Sequence, residues 1–195
     1  RQAMAEIAVS TRKWANLNPM AYFYDKPTTF DDYHNSKWVA WPFHLLDCCL
    51  VTDAGAAIVI TTPERAKNAK NGSVKILGAG EGHDHSGISQ MPDLTSAFGR
   101  HTGPQALEMA GVSHSDIDLA MIYDSFTYTA LVSLENLGFC GPGEGPDFVA
   151  SQRTAPGGDF PMNTNGGGLS YTHPGMYGIF TVVEAARQLR GQAGQ

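Results

Sequence analysis

The stretch DLAMIYDSFTYTALVSLENLG, residues 118–138, contains the change of pattern that decides the fold class. Its first five residues form a mostly apolar run typical of a strand, and residues 126–137 predict a helix that ends at the following glycine. Tyr123 and Asp124 occupy the turn between them, where α/β enzymes commonly place reactive groups. The stretch therefore predicts a strand–helix unit of a layered α/β protein.

The rest of the chain repeats this alternation of apolar runs and helical patterns. Further strands are predicted at residues 55–62 and 74–78. Helices are predicted at residues 2–15, from Pro63 onwards with Thr62 as N-cap, at residues 104–110 and at about 179–189. Residues 19–43 are rich in aromatic and turn residues and predict an extended connection with few regular elements. Strands that alternate with helices predict a layered architecture whose strand ends supply the site.

Composition limits the classes of protein that fit. The 195 residues are 42% hydrophobic and 16% charged, as in one globular domain with a sizeable core. The formal net charge is −6 and the basic residues are scattered, which argues against nucleic acid and anionic membranes as partners. The sequence shows no membrane-spanning run and no signal-peptide pattern, and its odd count of three cysteines favours a reducing compartment. We expect a cytoplasmic protein. The sequence starts at Arg1 without a methionine and stops just past a helical pattern, as expected of a fragment or of part of a longer chain.

A second stretch, NTNGGGLSYTHPGMYG at residues 163–178, is rich in glycine. Glycine loses more backbone freedom on folding than other residues, so such a run marks a place where backbone approaches something closely. Tyr171 and His173 stand two positions apart, and in an extended segment their side chains would project to the same side. We predict a catalytic or ligand-binding role for His173, with a structural histidine as the alternative, and no role for Tyr177.

Three other groups of residues leave alternatives open. Asp124 or Ser125 would act only as a helix cap if the strand–helix turn carried no chemistry. The H-x-H pair at residues 83–85 lacks a third ligand at a familiar spacing, so we expect a solvated loop and no metal site. The adjacent Cys48 and Cys49 are either nucleophiles or, as is common in apolar runs, small core residues.

An ordered set of motifs resembles the C-terminal half of thiolases of the sterol-carrier or lipid-transfer-protein branch. The motifs are Trp14-Ala15-x-Leu17-Asn18-Pro19, Leu46-Asp47-Cys48-Cys49, Thr52-Asp53-Ala54-Gly55-Ala56-Ala57, Tyr123-Asp124-Ser125-Phe126-Thr127, Leu134-Glu135-x-Leu137-Gly138-Phe139-Cys140, Gly143-Glu144-Gly145, and Asn163-x-x-Gly166-Gly167 followed by His173-Pro174. The resemblance implies a homodimer with a five-layered α/β/α/β/α arrangement that handles acyl-coenzyme A thioesters. It also implies that residues 1–45 are the end of the N-terminal half and its connection, and that residues 46–195 are a C-terminal domain, incomplete at its C-terminus.

Two departures from the thiolase pattern bear on the chemistry. Thiolases carry a nucleophilic cysteine in the N-terminal half and an acid/base cysteine near the C-terminus, and neither region is in this sequence. Tyr123-Asp124-Ser125-Phe126 stands where thiolases have Asn-Glu-Ala-Phe, or His-Asp-x-Phe in the sterol-carrier branch, and Tyr171-Thr172-His173-Pro174 stands where they have Gly-His-Pro. Two phenols thus enter the region that would hold a thioester oxyanion.

Phenols at these positions suit aldol cleavage, a reaction that passes through the same enolate intermediate as thiolysis. Thiolysis and aldol cleavage share the enolate of a coenzyme A thioester, whose oxygen a histidine N–H can stabilise. Aldol cleavage needs no covalent cysteine, but it needs a base and an acid, and tyrosine serves as both once neighbours lower its pKa from about 10. We predict Tyr123 and Tyr171 as proton-transferring groups and His173 as the donor to the enolate. The predicted oxyanion- or substrate-binding residues are Asp124, Asn163, Gly166 and Gly167.

The predicted function is retro-aldol cleavage of a β-hydroxyacyl-CoA, and the sequence looks similar to the steroid side-chain aldolases of actinobacterial lipid-transfer-protein type. That resemblance implies a steroid side chain cut to a ketone and propionyl-CoA, and a zinc-ribbon/OB-fold partner protein. It also implies coenzyme A as part of the substrate and no permanently bound cofactor. Two alternatives stay open: a thiolase with its cysteine outside this chain, and a non-catalytic thiolase-like subunit that binds acyl chains.

Overall fold

The structure is a computed structural model that describes residues 1–83 and 85–194. In that part of the chain the regular elements are α-helices, one two-stranded hairpin and several shorter turns. The helices are α1 (Gln2–Ala15), α2 (Phe30–Asn35), α3 (Pro63–Ala66), α4 (Gly99–Ala110), α5 (Thr127–Asn136), α6 (Gly145–Phe148) and α7 (Gly178–Leu189). The strands are β1 (Trp38–Ala40) and β2 (Phe43–His44), and 3₁₀ turns lie at Leu45–Asp47, Ile88–Gln90, His114–Asp116 and Ala150–Gln152. A π-helical turn, called the glycine turn below, spans Gly167–Tyr171.

α1 is the central helix, and it confirms the prediction for residues 2–15. It contacts α2, α5, α6 and the glycine turn, so most of its surface is covered. Its alanines keep it narrow enough for this, since a small side chain lets neighbouring backbones approach closely. The buried hydrophobic side chains of α1 are Met4, Ala5, Ile7, Ala8, Val9 and Ala15.

α5 supplies the facing side of the core. Ala130 and Leu134 are one helical turn apart, and both are fully buried in a cluster that includes Ile7 of α1. The helix spans nearly the predicted residues 126–137, and Gly138 beyond it takes a φ of +85°, as a glycine that ends a helix does. The prediction of this helix and its end is confirmed.

The strand predictions for residues 55–62 and 74–78 are wrong. Within the described residues neither segment pairs with another strand, and the apolar side chains are exposed: Val59 by 92% and Ile60 by 71%. The predicted strand at 118–122 makes one isolated parallel bridge, between Ala120 and Met162. A strand exists only through its hydrogen-bonded neighbour, and an apolar run in the sequence cannot supply that neighbour.

Other elements differ from the predictions in their limits. α4 begins at Gly99 with Pro104 inside it, although it ends at Gly111 as predicted. α3 spans four residues, and Thr62 precedes it without a side-chain capping bond. Residues 19–43 contain α2 and β1 besides extended chain, because a capping box between Thr29 and Asp32 starts α2. α7 is found as predicted.

Residues 48–52 join the two loops that were predicted to carry chemistry. The backbone N–H of Cys49 donates to the Ser125 carbonyl at 2.9 Å, and that of Leu50 donates to the Gly168 carbonyl at 3.0 Å. This one segment therefore sets the spacing between the start of α5 and the glycine turn. None of the helices in residues 1–83 and 85–194 has the length and apolar character that a membrane crossing requires.

Candidate active site

The two loops meet through Tyr123 and His173. Tyr123 Oη lies 3.0 Å from His173 Nε2, and the two rings meet edge to face with their centroids 5.6 Å apart. Both side chains are partly exposed. A phenol and an imidazole at hydrogen-bond distance can pass a proton between them, as general acid–base catalysis requires.

The Tyr123 oxygen is also held from the side of α7. The backbone N–H of Tyr177 donates to Tyr123 Oη at 3.0 Å, and the two tyrosine rings meet edge to face at 5.8 Å. The phenol oxygen therefore has a defined place between the imidazole and the residue that precedes α7.

Thr52 fixes the backbone of His173. Its Oγ1 accepts the His173 N–H at 2.9 Å and lies 2.8 Å from Thr172 Oγ1. Because the imidazole is thus held through both its main chain and its Nε2 atom, it approaches the site in one orientation.

Asp124 is a buried support of the glycine turn. It has no exposed surface, and its carboxylate accepts the N–H groups of Gly168 at 2.6 Å and Leu169 at 3.4 Å. Burial raises the pKa of Asp124 to about 7, although the two N–H groups act to lower it. The N-cap of α5 is Phe126, and the helix has no side-chain capping bond, so the alternative that Asp124 or Ser125 caps it is wrong. A substrate contact of Asp124 stays a prediction.

Gly166 and Gly167 have positive φ angles of +104° and +62°. A Cβ atom at Gly166 would lie 2.7 Å from Ala15 Cβ, and one at Gly167 would overlap Asp124 Oδ2. These glycines let the backbone approach α1 and the buried carboxylate. Protein atoms fill the space next to both glycines, so the close approach seen here is to protein. The role of these glycines beside a thioester stays a prediction.

Asn163 connects the glycine turn to the segment that leads into Tyr123. It is fully buried, its Oδ1 accepts the Ile122 N–H at 2.8 Å, and its own N–H donates to the Ala120 carbonyl at 3.0 Å. Its position is that of a structural bridge, and its predicted contact with substrate stays a prediction.

The structure does not bring Tyr171 to the Tyr123–His173 pair. Tyr171 ends the glycine turn, so the extended backbone that would align it with His173 is absent there, and its ring packs edge-on against Phe180 at 6.0 Å. In the described part of the chain no hydrogen bond joins Tyr171 Oη to Tyr123 or His173. Burial raises the pKa of Tyr171, and Arg187 lowers it only in part. The lowered pKa expected of a base is not found at Tyr171, and its catalytic role stays a prediction.

The structure gives less support for a functional role of the two adjacent cysteines and the H-x-H segment. Cys48 and Cys49 are half-buried free thiols, and burial raises the pKa of both, which disfavours the nucleophilic thiolate. Of the H-x-H segment, Asp84 lies outside the described residues. Residues 1–83 and 85–194 contain no cluster of three or more His, Cys, Asp and Glu side chains that could hold a metal ion.

Comparison with known families places this geometry in context. A family model described as thiolase C-terminal domain-like matches residues 80–195, more than half of the chain. The chain belongs to this thiolase family. The predicted fold class, one C-terminal half of the thiolase α/β arrangement, is confirmed, even though two of its predicted strands are unpaired.

Two curated relatives are similar to this chain over most of its length. A 17-hydroxy-3-oxo-4-pregnene-20-carboxyl-CoA lyase from Mycobacterium tuberculosis is 42% identical over 193 residues, covering 95% of this chain and 49% of the relative. A steroid side-chain-cleaving aldolase from Thermomonospora curvata is 41% identical over 197 residues, covering 95% of this chain and 48% of that relative. The chain thus spans about half the length of the curated relatives it matches.

A solved structure is similar as well. The chain of an Ltp2-ChsH2(DUF35) aldolase matches with a TM-score of 0.90 and 37% identity, covering 98% of this chain and 51% of that chain. The resemblance to aldolases of this type, inferred from the motifs, is confirmed by the relatives and by this structure.

Three residues that hold the Tyr123–His173 pair or the glycine turn were not predicted from the sequence. Thr52 begins the motif Thr52-Asp53-Ala54-Gly55 and was given no role, and Tyr177 was set aside. Asn165, whose Oδ1 accepts from both Gly167 N–H and Tyr177 Oη, was not considered. Thr52 lies in a recognised motif, but its bond to His173 joins residues 121 positions apart and leaves no spacing pattern in the sequence.

Proposed function

We propose that the protein containing this chain is a carbon–carbon lyase that cleaves a β-hydroxyacyl-CoA by a retro-aldol reaction. The observation that carries the proposal is the 3.0 Å hydrogen bond between Tyr123 Oη and His173 Nε2, an acid–base pair that includes no cysteine. Similarity to two proteins named as a lyase and an aldolase supports it.

The reaction requires two proton movements and one bond cleavage. A base takes the proton of the β-hydroxyl group, its oxygen forms the ketone C=O, and the Cα–Cβ bond breaks. The electron pair of that bond becomes the enolate of the thioester, and an acid then places a proton on Cα. The products are a ketone and a shorter acyl-CoA, with no oxidant, water or free coenzyme A consumed.

Tyr123 is the proton-transferring residue of this proposal, and His173 is its proton partner. Since His173 Nε2 is shared with Tyr123, donation from the imidazole to the enolate oxygen requires the substrate oxygen to enter that hydrogen bond. Tyr171 is the second proton-transferring candidate from the sequence, and it would have to reach the substrate from the side of Phe180.

The substrate and partners follow from the relatives. We propose a steroid β-hydroxyacyl-CoA, with propionyl-CoA as one product, because the relative from M. tuberculosis is named for a pregnene carboxyl-CoA. We also propose a DUF35-type partner with a zinc ribbon and OB fold, supported by the named complex, and a homodimer. We also propose a cytoplasmic location, because the three cysteines are free thiols and a reducing compartment keeps thiols in that form. Residues 1–45 are proposed as the end of the N-terminal half, and residues 46–195 as the C-terminal domain.

The test uses the full-length protein co-purified with its partner and a steroid β-hydroxyacyl-CoA without added coenzyme A. We expect the ketone and propionyl-CoA to form in equal amounts, and Tyr123→Phe to lower kcat at least about 100-fold. Tyr128→Phe is the matched control, because it also removes one phenolic hydrogen bond, to the Leu94 carbonyl at 3.1 Å. A strict need for free coenzyme A would indicate a thiolase, and full activity of Tyr123→Phe would refute the proposed role of the pair. Binding of the acyl-CoA without turnover in the complete complex would favour a non-catalytic subunit.

A further inference from the structure

We infer that Tyr177 is a positioning residue that fixes the reacting phenol of Tyr123. Its backbone N–H holds the Tyr123 oxygen, and its own phenol anchors that N–H to the glycine turn. The inference rests on the proposed function, since it assigns Tyr177 a part in the proton transfer by Tyr123.

The contact between the two residues is direct. Tyr177 has no exposed surface, and its backbone N–H donates to Tyr123 Oη at 3.0 Å. His173 Nε2 reaches the same oxygen at 3.0 Å. Two groups thus define the position of the Tyr123 oxygen, and only one of them, the imidazole, can exchange a proton with it.

The Tyr177 side chain locks this N–H in place. Its Oη donates to Asn165 Oδ1 at 2.7 Å, and the same Oδ1 accepts the Gly167 N–H at 2.9 Å. Its ring lies parallel to that of Phe180, with an interplanar angle of 12° and centroids 6.0 Å apart. Asn165 therefore ties the start of α7 to the glycine turn, and the glycine turn in turn is held by Asp124 beside Tyr123.

Tyr177 itself is unsuited to transferring protons. Burial raises the pKa of its phenol well above the usual value, with the nearby Asp124 acting in the same direction. The phenol stays a neutral donor to Asn165 and is enclosed by protein. Its contribution is therefore to geometry, and an error of about 1 Å in the place of a reacting group is enough to slow a reaction strongly.

The experiment is a double-mutant cycle in the full-length complex, with kcat and KM measured in the steady state at enzyme concentrations high enough for slow variants to be followed. Tyr177→Phe removes only the hydroxyl that donates to Asn165. We expect kcat to fall about tenfold with KM within about twofold, which corresponds to one lost hydrogen bond. In the Tyr123→Phe background the same substitution should have no further effect, because Tyr177 acts through the Tyr123 oxygen.

Controls separate positioning from general damage. Tyr128→Phe removes an exposed phenolic hydrogen bond and should keep wild-type kcat, whereas Tyr177→Phe removes a buried one and should lower both kcat and the melting temperature. A second route removes the acceptor: Asn165→Ala should reproduce the fall in kcat, and Asn165→Asp, which restores an acceptor oxygen, should recover part of it. This pair decides the question if Tyr177→Phe does not fold.

The outcomes distinguish the two proposals. If Tyr177→Phe and Tyr123→Phe lower kcat multiplicatively, or if Tyr177→Phe raises KM alone, Tyr177 does not position Tyr123, and the inference fails while the lyase proposal stands. If Tyr123→Phe keeps wild-type kcat, the failure lies in the proposed catalytic pair.

Discussion

Tyr123 Oη and His173 Nε2 lie 3.0 Å apart although the two residues are separated by 50 positions in the chain. Neither residue is held by its own loop alone. Asp124 bonds the glycine turn, Thr52 bonds the His173 backbone, and the Tyr177 N–H bonds the phenol. The pair is thus a product of several buried or partly buried contacts, and each of them can be tested.

Thr52 is predicted to control the orientation of His173. Thr52→Val keeps the shape of the side chain and removes the oxygen that accepts the His173 N–H at 2.9 Å. We expect kcat of the full-length enzyme to fall about tenfold. Thr52→Ser retains the oxygen and should restore most of the activity. Equal activity of the valine and serine variants in steady-state assays would contradict the assignment.

Asp124 is predicted to make stability depend on pH. Below pH 3.8 the carboxyl is protonated in both the folded and the unfolded chain, and above about 7 it is ionised in both. Between these values the folded chain keeps the proton and the unfolded chain loses it, so stability falls as pH rises, by at most about 1.4 kcal/mol per pH unit.

The neutral variant Asp124→Asn isolates this effect. The melting temperature of the wild type minus that of Asp124→Asn should decrease between pH 5 and pH 8 in the full-length protein. A difference that stays constant, or that increases with pH, would show that the buried carboxyl is ionised throughout this range.

Gly167 is predicted to tolerate no side chain. Its φ is +62°, and a Cβ atom there would overlap Asp124 Oδ2 and lie 2.9 Å from Thr11 Cγ2. Gly167→Ala should cost about 2–4 kcal/mol in stability and lower kcat with it. Gly157→Ala is the matched control, because Gly157 has a φ of +85° with nothing within 4 Å of the added atom. It should cost about 1 kcal/mol. Equal chemical denaturation midpoints for both variants would mean that contact with Asp124 is unimportant.

Asp47 is predicted to be the most sensitive acidic residue for stability. Its buried carboxylate accepts from Tyr33 Oη at 2.7 Å, Thr127 Oγ1 at 2.6 Å and the His44 N–H at 2.7 Å. Asp47→Ala leaves these donors unpaired and should cost about 3–5 kcal/mol.

An exposed carboxylate provides the comparison for Asp47. Asp159 forms an ion pair with Arg153 at 2.8 Å, and its side chain is 73% exposed. Asp159→Ala should cost about 1 kcal/mol or less. The prediction is contradicted if denaturant titrations of the two alanine variants give similar midpoints.

Most of the longer helices could be predicted because their signals are local, although the short α2 was missed. The spacing of Ile7 and its neighbours, the pairing of Ala130 with Leu134, and the helix-ending Gly138 all lie within a few positions of one another. The strand predictions at 55–62 and 74–78 were wrong because strand formation depends on a pairing partner that is distant in the sequence. Their apolar residues match a strand, but hydrogen-bonded partners for them are not among the described residues.

The amino-acid sequence by itself determined the family and most of the longer helices, and it named Tyr123, Tyr171 and His173 as the catalytic candidates. These follow from residue types and short spacings, which need no knowledge of distant contacts. Only the tertiary structure decided that Tyr123 and His173 meet, that Tyr171 turns towards Phe180, and that Thr52 and Tyr177 hold the pair in place. Such contacts join residues up to 121 positions apart, and they exist only once the core has brought the loops together.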